Sequence, residues 1–127
     1  MLPLGWLPNM HTVLVVEDDP SLRALMVRTL SDKGYRALEA GDGIEALERL
    51  AADPDIELVV TDIVMPRMNG VELAQRMASS ARARLLFVSA FGAEYTKLPA
   101  TLLEKPFSPA ALVAQVERLL EVPASSQ

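Results

Sequence analysis

A chain of 127 residues is long enough to bury one hydrophobic core and too short for two, so a single domain with one principal site is expected. Half of the residues are apolar and 23% are charged, a composition that folds rather than staying disordered. The formal net charge of -5 comes with no cluster of Lys or Arg, which argues against a nucleic-acid surface, and the lack of cysteine excludes disulfides, thiolate catalysis and Cys-ligated zinc.

A cytoplasmic protein is the expectation, since nothing points to an oxidising compartment. The opening Met1 to Pro8 is apolar, but it lacks a basic start and is broken by Pro3 and Pro8, so residues 1–11 read as an extension and not as a signal peptide. Trp6 could dock that extension on the domain or a partner, or belong to a mobile tail. No run approaches the ~20 apolar residues of a membrane span.

From Thr12 short apolar runs alternate with longer helical patterns, as a parallel sheet with crossover helices requires. The first strand, Thr12 to Val16, is continuously apolar and ends abruptly in Glu17-Asp18-Asp19. Asp19 and Pro20 have the character of an N-cap and first helical residue, and Leu22, Leu25, Met26, Thr29 and Leu30 follow at helical spacing until Gly34 stops the helix. Tyr35 to Ala40 alternates more and reads as an edge strand; Asp42 and Glu45 then have capping-box spacing before a second helix carrying Ile44, Leu47 and Leu50. Asp53-Pro54 breaks that helix, and a third strand, Ile56 to Thr61, delivers Asp62 at its end. After the loop Ile63 to Asn69, a third helix is capped by Asn69 and Glu72 and turns Val71, Leu73, Ala74 and Met77 inward. Leu85 to Val88 is the fourth strand, ending in Ser89. Ala90 to Ala100 leaves room for about two helical turns. Thr101 to Leu103 is the fifth strand, and Ser108-Pro109 opens a last helix with Leu112, Val113, Val116, Leu119 and Leu120 on one face.

In an open parallel sheet, ligands sit at the carboxyl ends of the strands, near the point where strand order reverses. The polar residues collect there: Glu17 and Asp18 after the first strand, Asp62 after the third, Ser89 after the fourth and Lys105 after the fifth. Close carboxylates repel by roughly 4 kcal/mol per pair at a surface-like dielectric, so three of them together imply compensating cations. A hard divalent ion such as Mg2+ suits an oxygen-only site. With the ion on Asp18 and Asp62, the remaining Asp62 oxygen can attack a phosphorus centre, while Lys105 and the ion neutralise charge and Ser89 donates a hydrogen bond to the arriving group.

The residues that carry this chemistry resemble the response-regulator receiver family over residues 12 to 121. The carriers are Val-Val-Glu-Asp-Asp-Pro from Val15, Thr61-Asp62-Ile63-Val64-Met65-Pro66-Arg67-Met68-Asn69-Gly70, Val88-Ser89-Ala90 and Lys105-Pro106-Phe107. The resemblance implies a doubly wound, flavodoxin-like α/β fold with a five-stranded parallel sheet in the order 2-1-3-4-5, flanked by the extension 1–11 and a tail over 122–127. It assigns phosphate acceptance to Asp62, phosphate contacts to Ser89 and Lys105, and a Mg2+ (or Mn2+) site to Glu17, Asp18, Asp62 and the carbonyl of Val64. It further implies a cis Lys105-Pro106 bond. The donor would be a partner histidine kinase or histidine phosphotransfer protein, and the only reactions catalysed would be the protein's own phosphoryl transfer and a slow autodephosphorylation. Val64 and Phe91, the apolar flanks of the acyl phosphate, should exclude the attacking water.

Two departures stand out. Leu102 replaces the aromatic residue found three before the lysine in many receivers, and the segment between Ser89 and Lys105 is about six residues shorter than in chemotaxis-type receivers, which abbreviates the fourth helix. A monomer that signals through another surface, such as the first helix, is the resulting expectation.

Each feature also has a plainer reading. Glu17-Asp18-Asp19 alone could complement a helix dipole, Ser89 could form a turn, and His11 is a solvated end residue before it is a phosphohistidine. Met65, Met68 and Met77 suit loops and core. A haloacid-dehalogenase-like phosphatase would need a second aspartate where Val64 stands. The remaining alternative is a pseudo-receiver, an interaction module that no longer uses phosphorylation.

Overall fold

The structure, a computed structural model, describes residues 11–78, 83–90 and 101–121. Trp6, Phe91, the abbreviated fourth helix and the tail over 122–127 lie outside the described residues. Five parallel strands run in the order β2-β1-β3-β4-β5, as expected: β1 (Thr12–Val16), β2 (Arg36–Ala40), β3 (Ile56–Asp62), β4 (Arg84–Ser89) and β5 (Thr101–Glu104). The described helices are α1 (Pro20–Asp32), α2 (Gly43–Ala52), α3 (Gly70–Met77) and α4 (Pro109–Glu121), the last being the helix expected after Ser108.

Alternation along the strands divides the core in two. Val13 and Val15 of β1, with Leu58 and Val60 of β3, pack under Met26 and Leu30 of α1 and Leu112 and Val116 of α4. Leu14, Val16 and Val59 face the other way, onto Ala46 of α2 and Leu73 and Met77 of α3. The continuous apolar composition of β1 follows, because helices cover both faces and every residue of the strand is buried. At the sheet's amino end the β1–β3 register shifts between Thr12 and Val13, which places Ile56 on the face opposite Leu58. Glu57, the residue between them, accepts the Thr12 N–H at 3.2 Å and a His11 ring nitrogen at 2.8 Å.

The helix starts are fixed by short polar side chains, as their spacing suggests. Asp19 accepts from the N–H groups of Ser21 and Leu22, Asp42 from Glu45 at 2.9 Å, and Ser108 from Ala111 at 3.0 Å. Asn69 and Glu72 complete a reciprocal capping box. Gly34 ends α1's exit turn at φ 92°, a conformation in which a side chain would be strained.

Two apolar residues of the helical patterns face outward. Leu25 is 52% exposed, because the buried stripe of α1 runs through Met26 and Leu30 and places position 25 beside the seam. Ile44 is 40% exposed: α2 meets the core through the small residues Gly43 and Ala46, and a Cβ on Gly43 would lie 2.8 Å from Met68 Cγ. No helix among the described residues is long and apolar enough to cross a membrane.

Asp42 is 7% exposed, and its carboxyl is held below the ordinary carboxylate value of 3.8, first by the Glu45 backbone N–H and further by Arg67. A lowered value in the folded state means that its contribution is complete above the ordinary value and fades as pH falls through the folded one. Asp42→Ala should therefore cost about 1 kcal/mol at neutral pH, with the gap to wild type closing below pH ~3.8 in paired urea titrations.

Candidate functional site

The site forms where β1, β3 and β4 end and the chain turns after β5. Glu17 follows β1 directly; its N–H is held by the Ala40 carbonyl at 3.1 Å and its carbonyl by Arg23 Nη1 at 2.7 Å, so the acidic turn is fixed on both sides. The same guanidinium pairs with Glu39 through Nε at 3.0 Å. Asp62 ends β3, and its neighbour Thr61 donates a hydroxyl hydrogen bond to the Asp62 carbonyl at 2.9 Å. Ser89 ends β4 and accepts the Lys105 N–H on its own carbonyl at 2.9 Å, which holds the lysine beside the end of β4. The Lys105-Pro106 peptide bond is cis, as the motif implies.

The consequence is a single ammonium shared by two carboxylates. Lys105 Nζ lies 2.9 Å from Glu17 Oε1 and 2.9 Å from Asp62 Oδ2. The second oxygen of Glu17 accepts the Asp19 N–H at 3.0 Å, and the second oxygen of Asp62 accepts the Val64 N–H at 3.3 Å. Glu17 is 1% exposed, and this burial pushes its carboxyl above the ordinary value; Lys105 and the Asp19 N–H oppose the shift, and the Asp62 charge reinforces it. For Lys105 burial works toward a lower value, but the hydrogen bonds to Asp62 and Glu17 win and hold the ammonium above its usual range.

Asp18 is exposed at the mouth, and Glu17, Asp18 and Asp62 each offer an oxygen within 4.8 Å of the others. Three carboxylates around one ammonium leave the pocket negative, and their hard oxygen donors fit a divalent cation of the Mg2+ kind. Glu17, Asp18, Asp62 and Lys105 are thus brought together from distant parts of the chain. Ser89, 1% exposed, ends β4, which lies between β3, ending in Asp62, and β5, which Lys105 follows. Val64 is adjacent through its N–H and 53% exposed.

Three supporting residues were given no individual role from the sequence, although Arg67 and Gly70 belong to the loop motif that carries the resemblance. Arg23 and Arg67 act through the tertiary fold, on partners that no local spacing reveals: the Glu17 carbonyl for the first, Asp42 for the second. Gly70 was legible in principle, as a glycine that closes a Pro-containing loop. Its N–H bonds the Ile63 carbonyl at 2.7 Å, and an added Cβ would press on the Asp62 carbonyl and lie 2.9 Å from Ile63 Cα.

Residues 13–117 match the family described as the response regulator receiver domain. The chain belongs to the response regulator receiver family. Among its relatives, the receiver is 35% identical over 118 residues to the response regulator receiver protein CpdR of Brucella abortus, covering 87% of this chain and 98% of that protein. It is 33% identical to the chemotaxis protein CheY1 of Helicobacter pylori, covering 85% and 95%. Against solved structures, it superposes on the receiver domain of the hybrid histidine kinase CckA with a TM-score of 0.75 at 31% identity, covering 86% and 98%. The match to the Thermotoga maritima response regulator TrrA, solved in complex with Mg2+-BeF, has a TM-score of 0.79 at 30% identity and covers 87% and 99%. Members of this family are signalling switches of two-component systems, and this receiver has the fold and the acidic pocket that go with them.

Gly70→Ala should cost about 1 to 3 kcal/mol of unfolding free energy, because the methyl group meets backbone that cannot give way. Urea unfolding of the two proteins side by side measures it.

Proposed function

We propose that this receiver accepts a phosphoryl group on Asp62 from a partner histidine kinase or histidine phosphotransfer protein, and that residues 12–121 constitute the switch. The observation that carries the reading is the Lys105 ammonium poised at 2.9 Å from both Glu17 and Asp62, with Asp18 completing an acidic cluster. An Asp62 carboxylate oxygen attacks phosphorus, the P–N bond to the donor imidazole breaks, and its electron pair stays on that nitrogen. Lys105, already hydrogen-bonded to Asp62, moves with the developing charge onto the phosphoryl oxygens, and the Ser89 hydroxyl donates to one of them. Glu17, Asp18, Asp62 and the Val64 carbonyl would hold Mg2+ or Mn2+, which when bound supplies further neutralisation of the phosphoryl charge.

The protein is proposed to be cytoplasmic and monomeric, with its output surface on α1. Exposed Leu25 supports that choice, together with the apolar cavity of about 290 Å3 it forms with Leu22, Met26, Phe107 and Leu112 beside Lys105. Leu102, half-buried in β5 where an aromatic readout would stand, keeps a phosphorylation-independent interaction module as the second reading.

Intact mass after incubation with Mg2+ and phosphoramidate should rise by one phosphoryl group in the wild type and not in Asp62→Ala; no gain in either protein transfers the reading to the interaction module. With apolar residues two positions beyond both Asp62 and Ser89 in the sequence, Val64 and Phe91, the acyl phosphate's half-life is expected to be minutes or longer, and loss within seconds overturns water exclusion by those residues. Light scattering should return a monomer mass before and after phosphorylation, and a dimer formed on phosphorylation refutes the assignment of output to α1.

A further inference from the structure

We propose that the Asp42–Arg67 ion pair is a tether that sets the loop after Asp62, which makes Arg67 a positioning residue for the cation and phosphoryl site; the proposal rests on the acceptor role assigned to Asp62. Arg67 is the one non-glycine residue with positive φ among the described residues, at 68°. An L-residue held there costs on the order of 1 kcal/mol, so the surrounding structure must enforce it.

The enforcing contact comes from the next loop over. Arg67 Nε donates to Asp42 Oδ2 at 2.9 Å, and Nη2 donates to the same oxygen. Asp42 is itself immobile, since it is buried and its other oxygen caps α2. Met68 strengthens the lock: it is 8% exposed and lies so close to Gly43 that no side chain fits there. The phosphoacceptor loop is therefore clasped to the N-terminus of α2 at residues 67 and 68, and to the Ile63 carbonyl at Gly70.

Between those anchors Met65 is 8% exposed and packed in the core, and the Met68 N–H donates to the Pro66 carbonyl, whereas Val64 is 53% exposed and its N–H reaches Asp62 at only 3.3 Å. Val64 is also the residue whose carbonyl is assigned to the cation. Releasing Arg67 should let the exposed residues Pro66 and Arg67 shift while Met65 and Met68 stay packed, and take both Val64 groups out of register with Asp62. Outer partners that orient ligands in this way commonly change metal affinity by tenfold or more.

Two substitutions isolate the tether. Arg67→Gly keeps the backbone conformation, which glycine adopts freely, and removes the guanidinium. Asp42→Asn keeps a good helix cap and removes the charge. In the intact chain, calorimetric titration should show Mg2+ binding weakened by about tenfold in each variant, and by no more in the double variant because both remove the same contact. Arg67→Lys should recover part of the loss. Initial rates of phosphoramidate uptake should fall in parallel while melting temperatures stay close to wild type. Mg2+ affinities within about twofold of wild type in both single variants would overturn the tether, as would losses that multiply in the double variant. If the wild type binds Mg2+ but takes up no phosphoryl group, the acceptor reading fails, and the shift in affinity still decides the tether. A wild type that binds no Mg2+ overturns both.

Discussion

The arrangement depends on one ammonium group placed between two buried carboxylates. Glu17 and Asp62 are 1% and 8% exposed, and without a cation they would repel each other in a medium that screens poorly. Lys105 makes the pair tolerable: it follows β5, its N–H extends the β4–β5 pairing to the Ser89 carbonyl, and its side chain spans the end of β4 to reach Asp62. Parallel topology therefore does more here than bury apolar surface. It brings the carboxyl ends of β1, β3 and β5 to one edge, where a long, flexible cation from an outer strand can neutralise acids from inner ones.

The pocket keeps an excess of negative charge even so. Arg23, another cation near the site, is committed to the Glu17 carbonyl and to Glu39 and serves as a backbone brace. The exposed Asp18 adds a third carboxylate at the mouth. A fold selected for stability alone would gain by replacing such a cluster with apolar side chains, since buried charged groups are rarely a net stabilising choice. Retention of this cluster, with each buried carboxylate oxygen already bonded to a donor, is what chemistry would require and packing would not.

Most of this was legible in the sequence because it is written in local signals. Strand ends are marked by an abrupt change from apolar to acidic residues, and helix starts by Asp19, Asp42, Asn69 and Ser108, so the position of each site residue relative to the sheet could be read before any tertiary contact was known. What stayed open lies where a pattern does not settle a rotation. Leu25 and Met26 are equally apolar neighbours, and only the tilt of α1 on the sheet decides that Met26 goes in. Arg67 was invisible for a different reason: its partner Asp42 is 25 residues away and was already explained as a cap, so one carboxylate with two duties was counted once.

That double duty bears on how a reaction at Asp62 could be felt elsewhere. In the proposed transfer a carboxylate monoanion becomes an acyl phosphate that carries a phosphoryl dianion, so the pocket gains about one negative charge, not two. Lys105 is the group that must respond, because it is bonded to the oxygen whose charge changes, and its backbone N–H ties it to the end of β4. The loop after Asp62 is far less free to respond: Gly70 fixes it at one end and Asp42 at the other. If the transfer proceeds as proposed, a held acceptor loop facing a movable cation would direct the rearrangement toward β4, β5 and the apolar cavity between α1 and the residues after Lys105.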